Sequence, residues 1–185
     1  IESRLDAVPS LSLGAGGDVS IFELVGAYGT FINKGVYTRP FFISRIEDEN
    51  GNVIQQFIPE TKEALNEETA YIMLHMLKGT SEPGGTAQGL EYFLKQENEI
   101  GGKTGTTQNA SDGWFMGVTK DLVAGAWVGG DNRAIRFKSW VLGQGARTAM
   151  PIYEHFMLDI YNDPTLPYSK GNFDRPLKPL SVELD

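Results

Sequence analysis

Apolar side chains recur every three or four residues in three stretches of the chain, and this period predicts three amphipathic helices. The first helix runs through Ile32, with Asp18 or Ser20 as its capping residue. Asn33-Lys34-Gly35 follows and contains a glycine of the kind that commonly ends a helix. The apolar face of this helix is predicted to pack in the core. That face carries Ile21, Leu24, Val25, Tyr28 and Phe31 or Ile32.

The second predicted helix begins after Asn66, a good capping residue, and ends before the glycine-rich segment 79–85. Its buried side carries Ala70, Met73, Leu74 and Leu77. The third helix covers about 146–162, and Asp163-Pro164 ends it. Its apolar face carries Tyr153, Phe156, Met157 and Ile160. Residues 164–185 contain four prolines and no clear period, so they are predicted to form an extended tail.

Apolar runs bounded by turn residues predict strands in the middle of the chain. Asn50-Gly51 is typical of the tight turn of a hairpin. The segments 99–107, 113–119 and 122–129 follow one another closely, and such short connections predict consecutive antiparallel strands of one sheet. With the third helix packed on a face, the sequence predicts an α+β fold in which an antiparallel sheet is flanked by helices.

The first of these three strands contains the residues best suited to bind a ligand. Alternation along the strand places Lys103, Gly105 and Thr107 on one face. Thr104 and Thr106 point to the other face. A ligand can approach the backbone closely at Gly105, while the lysine supplies a cation and the threonines supply hydroxyl donors. An edge strand of this kind can pair with an extended peptide and bind its anionic end group.

Two other interpretations apply to this strand. Gly102-Lys103-Thr104 matches the end of a phosphate-binding loop, but Glu97 stands where that loop needs its first glycine. Residues 105–109 are also poor helix formers, so no helix follows as that loop requires. The second interpretation is a plain edge strand whose lysine discourages aggregation, and a lone K-T-G does not distinguish it from a binding strand.

Charge and cysteine content exclude several classes of function. The 185 residues include 16 basic and 24 acidic side chains, so the formal net charge is −8 and a nucleic-acid partner is not expected. The absence of cysteine excludes disulfides and thiolate metal sites. No apolar run approaches the roughly 18 residues of a membrane span, so membrane anchoring is expected only through segments outside this chain.

Further motifs give the strand a specific context. They are LG at 13–14, VSIFEL at 19–24, AYGTFINKG at 27–35, GTA at 85–87, KTGTT at 103–107, DGWFMG at 112–117 and AWVG at 126–129. In this order they strongly resemble the penicillin-binding proteins, above all the transpeptidase domain of the bifunctional (class A) peptidoglycan synthases. The resemblance spans about 11–161 and implies a β-lactamase/transpeptidase-like fold. The ordered set is far more specific than K-T-G alone.

The resemblance also implies that part of the catalytic machinery lies outside the chain. The family uses S-x-x-K with its serine nucleophile, then S-D-N or a similar motif, then K-T-G. No serine of this chain has a lysine three positions later, and Ser111-Asp112-Gly113 follows K-T-G, so it is interpreted as a turn into the next strand. Residues 1–163 are therefore expected to be the C-terminal portion of the transpeptidase domain, followed by the tail 164–185. The chain alone is expected to be inactive.

By this resemblance the chain is part of a peptidoglycan D,D-transpeptidase, which cross-links stem peptides by acyl transfer through a serine. Lys103 is implied to orient the second-motif serine, and the Thr106 N–H to form half of an oxyanion hole, which makes both of them catalytic candidates. The hydroxyls of Thr104 and Thr106 are implied to bind the terminal carboxylate. Gly105 is implied to leave room for the substrate, and Thr107 completes the set of substrate-binding candidates.

Partners and location follow from the same resemblance. Peptidoglycan stem peptides and β-lactams are the expected partners, and the chemistry needs no metal ion or organic cofactor. The expected location is extracytoplasmic, at the periplasmic face of the bacterial inner membrane, as part of a membrane-anchored parent protein. Self-association of the chain stays open. A non-catalytic peptidoglycan-binding or structural module on the same fold is the alternative, and S-x-x-K and S-x-N motifs upstream in the parent would distinguish the two.

Overall fold

The computed structural model describes residues 1–184, which form four α-helices and seven short strands. The helices are α1 (Ile21–Ile32), α2 (Glu67–Lys78), α3 (Tyr92–Lys95) and α4 (Gly145–Asn162). The strands are β1 (Val36–Thr38), β2 (Arg45–Glu47), β3 (Val53–Gln56), β4 (Thr61–Glu63), β5 (Gly101–Thr106), β6 (Asp112–Val118) and β7 (Val123–Gly129). Two short 3₁₀ helices cover Pro9–Leu13 and Gln108–Ala110.

A three-stranded antiparallel sheet in the order β5-β6-β7 lies at the centre of the fold. The register pairs Lys103 with Met116, and Met116 with Gly125. The prediction of three consecutive antiparallel strands is confirmed, and so is the hairpin around Asn50-Gly51, which joins β2 to β3. Strands β1 and β4 also pair with each other, but at three residues each they are too short to show a period in the sequence.

The helix boundaries follow from the capping chemistry of the sequence. Ser20 caps α1, because its side chain accepts the Glu23 N–H while the Glu23 carboxylate accepts the Ser20 N–H. Asn66 caps α2 by accepting the Thr69 N–H at 2.7 Å. Gly35 has a φ of 90°, so the segment after α1 ends the helix as predicted.

Helix α4 covers one face of the central sheet. The ring of Tyr153 meets the ring of Phe115 edge to face, with their centroids 4.9 Å apart. The core on this face contains Ala87, Leu90, Leu94, Ile100, Phe115, Ala126, Ala149, Met150, Tyr153 and Met157. The prediction that Phe156 belongs to the buried face is wrong, since its side chain is 53% exposed. It lies at the margin of the face that Tyr153 and Met157 bury, about 100° around the helix from Met157.

Helices α1 and α2 pack on the opposite face of the sheet. The buried residues there are Leu74, Leu77, Val118 and Phe173. Phe173 comes from the tail, yet only 6% of it is exposed, so the tail completes the core between α2 and the sheet. Within the described residues 164–184 the tail contains no helix or strand after α4, and its assignment as a separate extended tail stays a prediction.

Backbone groups of the tail form hydrogen bonds with the two residues that precede Ile100 and β5. The Gly171 N–H donates to Asn98 Oδ1 at 3.2 Å, and the Glu99 N–H donates to the carbonyl of Gly171 at 3.0 Å. The Phe173 N–H donates to Glu99 Oε2 at 2.8 Å. A segment that the sequence predicts only as extended is therefore fixed in place by the residues next to β5.

Gly117 allows Tyr153 to pack directly on the sheet. A Cβ at this position would overlap the Tyr153 ring. We expect Gly117→Ala to lower the free energy of unfolding by about 1–3 kcal/mol, because a fully buried ring has no space into which it can move. Chemical denaturation of the chain measures this change.

Gly29→Ala is the matched control, since Gly29 lies inside α1 with open space around its Cα. That variant should be more stable by about 0.5–1 kcal/mol, as alanine is the better helix former. Equal effects of the two substitutions would contradict the packing described for Tyr153.

Candidate active site

Strand β5 has one paired edge and one outer edge. The Thr107 N–H donates to the carbonyl of Asp112 at 3.1 Å, so the odd-numbered residues of the strand direct their backbone groups to β6. The N–H and C=O groups of Gly102, Thr104 and Thr106 therefore point outward. Within residues 1–184 the N–H groups of Thr104 and Thr106 have no hydrogen-bond partner.

The side chains of β5 divide between the two faces of the sheet as the alternation predicts. Lys103 and Gly105 lie on the face that also carries Trp114 of β6. A Cβ on Gly105 would lie 3.0 Å from the Cβ of Trp114, which is one reason for a glycine at this position. Thr104 and Thr106 lie on the face covered by α4.

The hydroxyl of Thr106 is oriented by the first residue of α4. The Gly145 N–H donates to Thr106 Oγ1 at 3.1 Å. Because a hydroxyl can accept and donate at once, Thr106 keeps its own proton for an anionic acceptor. The N-terminus of α4 also carries a partial positive charge, which favours an anion at this end of β5.

The hydroxyl of Thr104 points to the segment that follows α2. It donates to Thr86 Oγ1 at 3.1 Å. Thr86 belongs to the Gly85-Thr86-Ala87 motif, so the structure brings that motif and the K-T-G motif together. Both hydroxyls are exposed in this contact, so either can rotate to meet a ligand.

The ammonium group of Lys103 lies at the outer edge of β5. Its side chain is exposed, and Nζ donates to the outward carbonyl of Thr104. No carboxylate in the part of the chain that the structure describes forms an ion pair with it. Its positive charge is therefore available beside the unpaired N–H groups of Thr104 and Thr106.

Thr107 differs from the other candidates because its hydroxyl is occupied within the β5–β6 turn. Thr107 Oγ1 lies 2.8 Å from Ser111 Oγ and accepts the Asp112 N–H at 3.1 Å. Ser111 itself is only 7% exposed. The turn assignment of Ser111-Asp112-Gly113 agrees with this geometry, and a substrate-binding role for Thr107 stays a prediction.

Three residues near β5 escaped the sequence analysis. Thr80 Oγ1 lies 2.9 Å from the carbonyl oxygen of Gly102, and Ser81 Oγ lies 2.7 Å from that of Ile100. The Gly145 N–H, described above, is the third. For Thr80 and Ser81 the only signal in the sequence was the presence of two hydroxyl residues directly after a helix. Such residues usually form hydrogen bonds with that helix alone, so a contact with β5 could not be predicted.

An ion pair fixes the residue that leads into β5. Lys78 Nζ of α2 lies 2.7 Å from Glu99 Oε1. Burial tends to raise the pKa of Glu99, but hydrogen bonds from Lys78 and the Phe173 N–H outweigh it, so the pKa lies below its usual range. The hydrogen bond to Glu99 in turn raises the pKa of Lys78. Helix α2, the tail and β5 therefore meet at one carboxylate.

The sequence and the fold together define the class to which this chain belongs. The profile of the penicillin binding protein transpeptidase domain matches residues 7–129. The chain therefore belongs to the penicillin-binding protein transpeptidase family. Its fold agrees: the structure of penicillin-binding protein 1A from Haemophilus influenzae superimposes with a TM-score of 0.70 at 25% identity, over 90% of this chain and 30% of that one.

Within the family, the resemblance to class A enzymes is confirmed by curated relatives. Penicillin-binding protein 1A of Aquifex aeolicus is 33% identical over 176 residues, which cover 95% of this chain and 23% of that protein. Penicillin-binding protein 1F of Bacillus subtilis is 35% identical over 130 residues, 65% of this chain and 18% of that protein. The chain thus spans about a quarter or less of these relatives.

A more distant structure shows the same fold. Penicillin-binding protein A of Mycobacterium tuberculosis superimposes with a TM-score of 0.63 at 16% identity, over 85% of this chain and 36% of that one. The predicted α+β, β-lactamase/transpeptidase-like fold is thereby confirmed. None of the helices in residues 1–184 combines the length and apolar character that a membrane crossing needs.

The Glu99 carboxylate makes the stability of the chain depend on pH. Its pKa is lowered in the folded state, so its contribution is full above the unfolded pKa near 4.5 and is lost as the pH falls through the folded value. We expect Glu99→Gln to cost about 1–2 kcal/mol at pH 7, a fall in Tm of about 2–8 °C for a chain of this length. The deficit should shrink as the pH falls below 4.5 and through the lowered folded pKa of Glu99.

Thermal melts of both proteins between pH 3 and pH 7 measure this difference. Glu49→Gln is the control, because Glu49 is an exposed residue in the β2–β3 turn and should leave Tm unchanged at both ends of the range. A Glu99→Gln deficit that persists undiminished at pH 3 would argue against the ion pair as its cause.

Proposed function

We propose that this chain supplies the K-T-G strand and the surrounding C-terminal portion of a peptidoglycan D,D-transpeptidase. In this proposal residues 1–163 belong to the transpeptidase domain, and the remaining residues form its tail. The reaction is acyl transfer: a serine attacks the carbonyl of the penultimate residue of a stem peptide, the terminal D-alanine leaves with a proton, and an amine of a second stem peptide then takes the acyl group. β-Lactams would acylate the same serine.

The outer edge of β5 is the observation that carries the proposal. The unpaired N–H groups of Thr104 and Thr106 lie beside an exposed ammonium group and two threonine hydroxyls. An extended peptide can pair with such an edge through its main chain while its carboxylate meets the donors. In a chain of the transpeptidase family, this arrangement favours a stem peptide that ends in a free carboxylate.

Lys103 and the Thr106 N–H are assigned the catalytic roles. The N–H of Thr106 points outward from β5 and would donate to the oxygen on which negative charge develops, as half of an oxyanion hole. The second donor would come from the nucleophile's own N–H. Lys103 would orient the second-motif serine and add positive charge to the site, since it is exposed on the same strand.

The hydroxyls of Thr104 and Thr106 are assigned to the substrate carboxylate. Thr106 has its proton available, because its lone pair already accepts from Gly145. Thr104 can turn its proton from Thr86 toward the substrate. Gly105 would let the substrate backbone approach the strand between them. Thr107 would act only through the turn that holds β5 against β6.

The nucleophile and the second motif belong, in this proposal, to residues upstream of the chain. None of its serines starts an S-x-x-K motif. The same proposal places the full-length protein outside the cytoplasm at the periplasmic face of the inner membrane, with an anchor supplied by other segments. M. tuberculosis penicillin-binding protein A, which shares the fold, has been solved as an imipenem acyl-enzyme complex, and this supports β-lactams as ligands.

We expect the chain alone to form no covalent adduct with a reactive penicillin, because an activated serine is missing from it. The full-length protein should gain the mass of one penicillin. Intact-mass measurement of both after the same incubation checks the prediction. An adduct on a serine of the chain alone would show that the nucleophile was misplaced, and no adduct on the full-length protein would favour the non-catalytic module.

Lys103→Ala in the full-length protein should slow acylation by on the order of a hundredfold, because a cation leaves a site where negative charge develops. Its stability should change by no more than about 0.5 kcal/mol, since the side chain is exposed. The second-order rate of acylation and Tm are the two measurements. Lys62→Ala, on the exposed strand β4, is the control and should affect neither.

Thr106→Val should slow acylation less than Lys103→Ala, because the backbone N–H survives and only the hydroxyl is lost. It should also cost about 1 kcal/mol of stability, since the Gly145 N–H loses its acceptor. The same two measurements apply.

If Lys103→Ala instead unfolds the protein while the folded fraction is acylated at the normal rate, the lysine is structural and the site assignment fails.

A further inference from the structure

The outer edge of β5 is closed over its first half by the segment that follows α2. Thr80 and Ser81 stand at the start of this segment, directly after Lys78 and Gly79. Thr80 Oγ1 lies 2.9 Å from the outward carbonyl oxygen of Gly102. Ser81 Oγ lies 2.7 Å from the carbonyl oxygen of Ile100, and Ser81 is only 9% exposed.

Each of the two hydroxyls links β5 to the C-terminus of α2. Thr80 Oγ1 also lies 2.8 Å from the carbonyl oxygen of Leu77, and Ser81 Oγ lies 2.9 Å from that of Lys78. A hydroxyl has one proton, so each proton is shared between a helix carbonyl and a strand carbonyl. The last turn of α2 and the first half of β5 are thus held at a fixed distance.

The segment is folded back on itself by backbone hydrogen bonds. The Ala87 N–H donates to the carbonyl of Thr80 at 2.8 Å, and the Gly85 N–H donates to that of Glu82 at 2.9 Å. Ala87 is completely buried, in the core beneath α4. The Thr86 hydroxyl, which this closed segment presents, contacts Thr104 of β5 at 3.1 Å.

Together these contacts divide the outer edge of β5 into two halves. The carbonyls of Ile100 and Gly102 accept hydrogen bonds from the distant segment at Thr80 and Ser81. Beyond Gly102 the outward carbonyl of Thr104 accepts only from the neighbouring Lys103, and the N–H groups of Thr104 and Thr106 have no partner in residues 1–184. We propose that Thr80 and Ser81 are positioning residues that set the register of the substrate peptide on β5 by closing its edge at Gly102. This inference rests on the proposed function, in which an extended stem peptide pairs with that edge.

Register matters because the pairing pattern on a strand edge repeats every two residues. A peptide that slips by one repeat moves by about 7 Å, at about 3.4 Å per residue. Its scissile carbonyl would then lie far from the Thr106 N–H, and its carboxylate would miss the threonine hydroxyls. A closed edge at Gly102 removes that alternative and leaves only the register in which the peptide ends at Thr104 and Thr106.

The test locates the peptide on the strand without requiring catalysis. Diacetyl-L-lysyl-D-alanyl-D-alanine is titrated into the isotope-labelled 185-residue chain, and amide chemical shifts are followed by NMR. In the unsubstituted chain, shifts along β5 should be confined to Thr104–Thr106. In the double variant Thr80→Val, Ser81→Ala they should extend to Gly102 and Ile100. The single variant Thr80→Ser keeps a hydroxyl at both positions and should therefore show the same confined pattern as the unsubstituted chain.

Thr30→Val is the matched control, because the Thr30 hydroxyl also bonds a helix carbonyl but lies in α1. It should leave the pattern along β5 unchanged. The inference is overturned if the double variant shows the same confined shifts as the unsubstituted chain. It is also overturned if the peptide shifts no amide of β5 in the unsubstituted chain.

Acylation of the full-length protein by a thioester analogue of the same peptide separates this inference from the proposed function. The double variant should react about threefold to tenfold more slowly, the effect of one or two lost hydrogen bonds. Its reaction with a small penicillin, which has no extended peptide to misplace, should change less. The full-length protein could also bind the peptide at Thr104–Thr106 without ever being acylated. That result would refute the transpeptidase function and leave the register assignment standing.

Discussion

The one-sided pairing of β5 with β6 is the constraint on which the rest of the candidate site depends. Because β6 holds the backbone groups of the odd-numbered residues, those of Gly102, Thr104 and Thr106 can only point outward. The same pairing fixes the faces, with Lys103 on one side of the sheet. A binding edge, a cation and two hydroxyls are thus consequences of a single register, and a slip by one residue would lose all of them.

Different elements hold the two ends of this strand. Its start is tied to α2 and to the tail through Glu99, and its end is tied to α4 through the Gly145 N–H. Both α4 and the pair α1–α2 pack on the sheet, so the strand lies between two cores. The candidate site therefore rests on a framework in which no single loop sets the positions of the candidate residues.

Apolar positions that repeat over long stretches of the sequence made much of this fold predictable. Helices α1, α2 and α4 span three turns or more, α1 and α2 have capping side chains, and strands β5 to β7 have short turns between them. What the sequence could not show are contacts between distant segments. Ser81 bonds to Ile100 and Phe173 fills the core beside α2, and neither contact leaves a local pattern. Four of the five site candidates, Lys103 to Thr106, lie where alternation placed them, while the occupied hydroxyl of Thr107 depends on turn geometry.

The position of Phe173 bears on the order in which the chain can fold as it is synthesised. Translation releases α2 and β5 well before residue 173, so the hydrophobic surface between them stays open to water while the intervening segment is made. Chains are made at about 5–20 residues per second, so that surface is exposed for several seconds. The core between α2 and the sheet is therefore complete only after the tail has been made, and its closure is expected to be a late event in the folding of the chain.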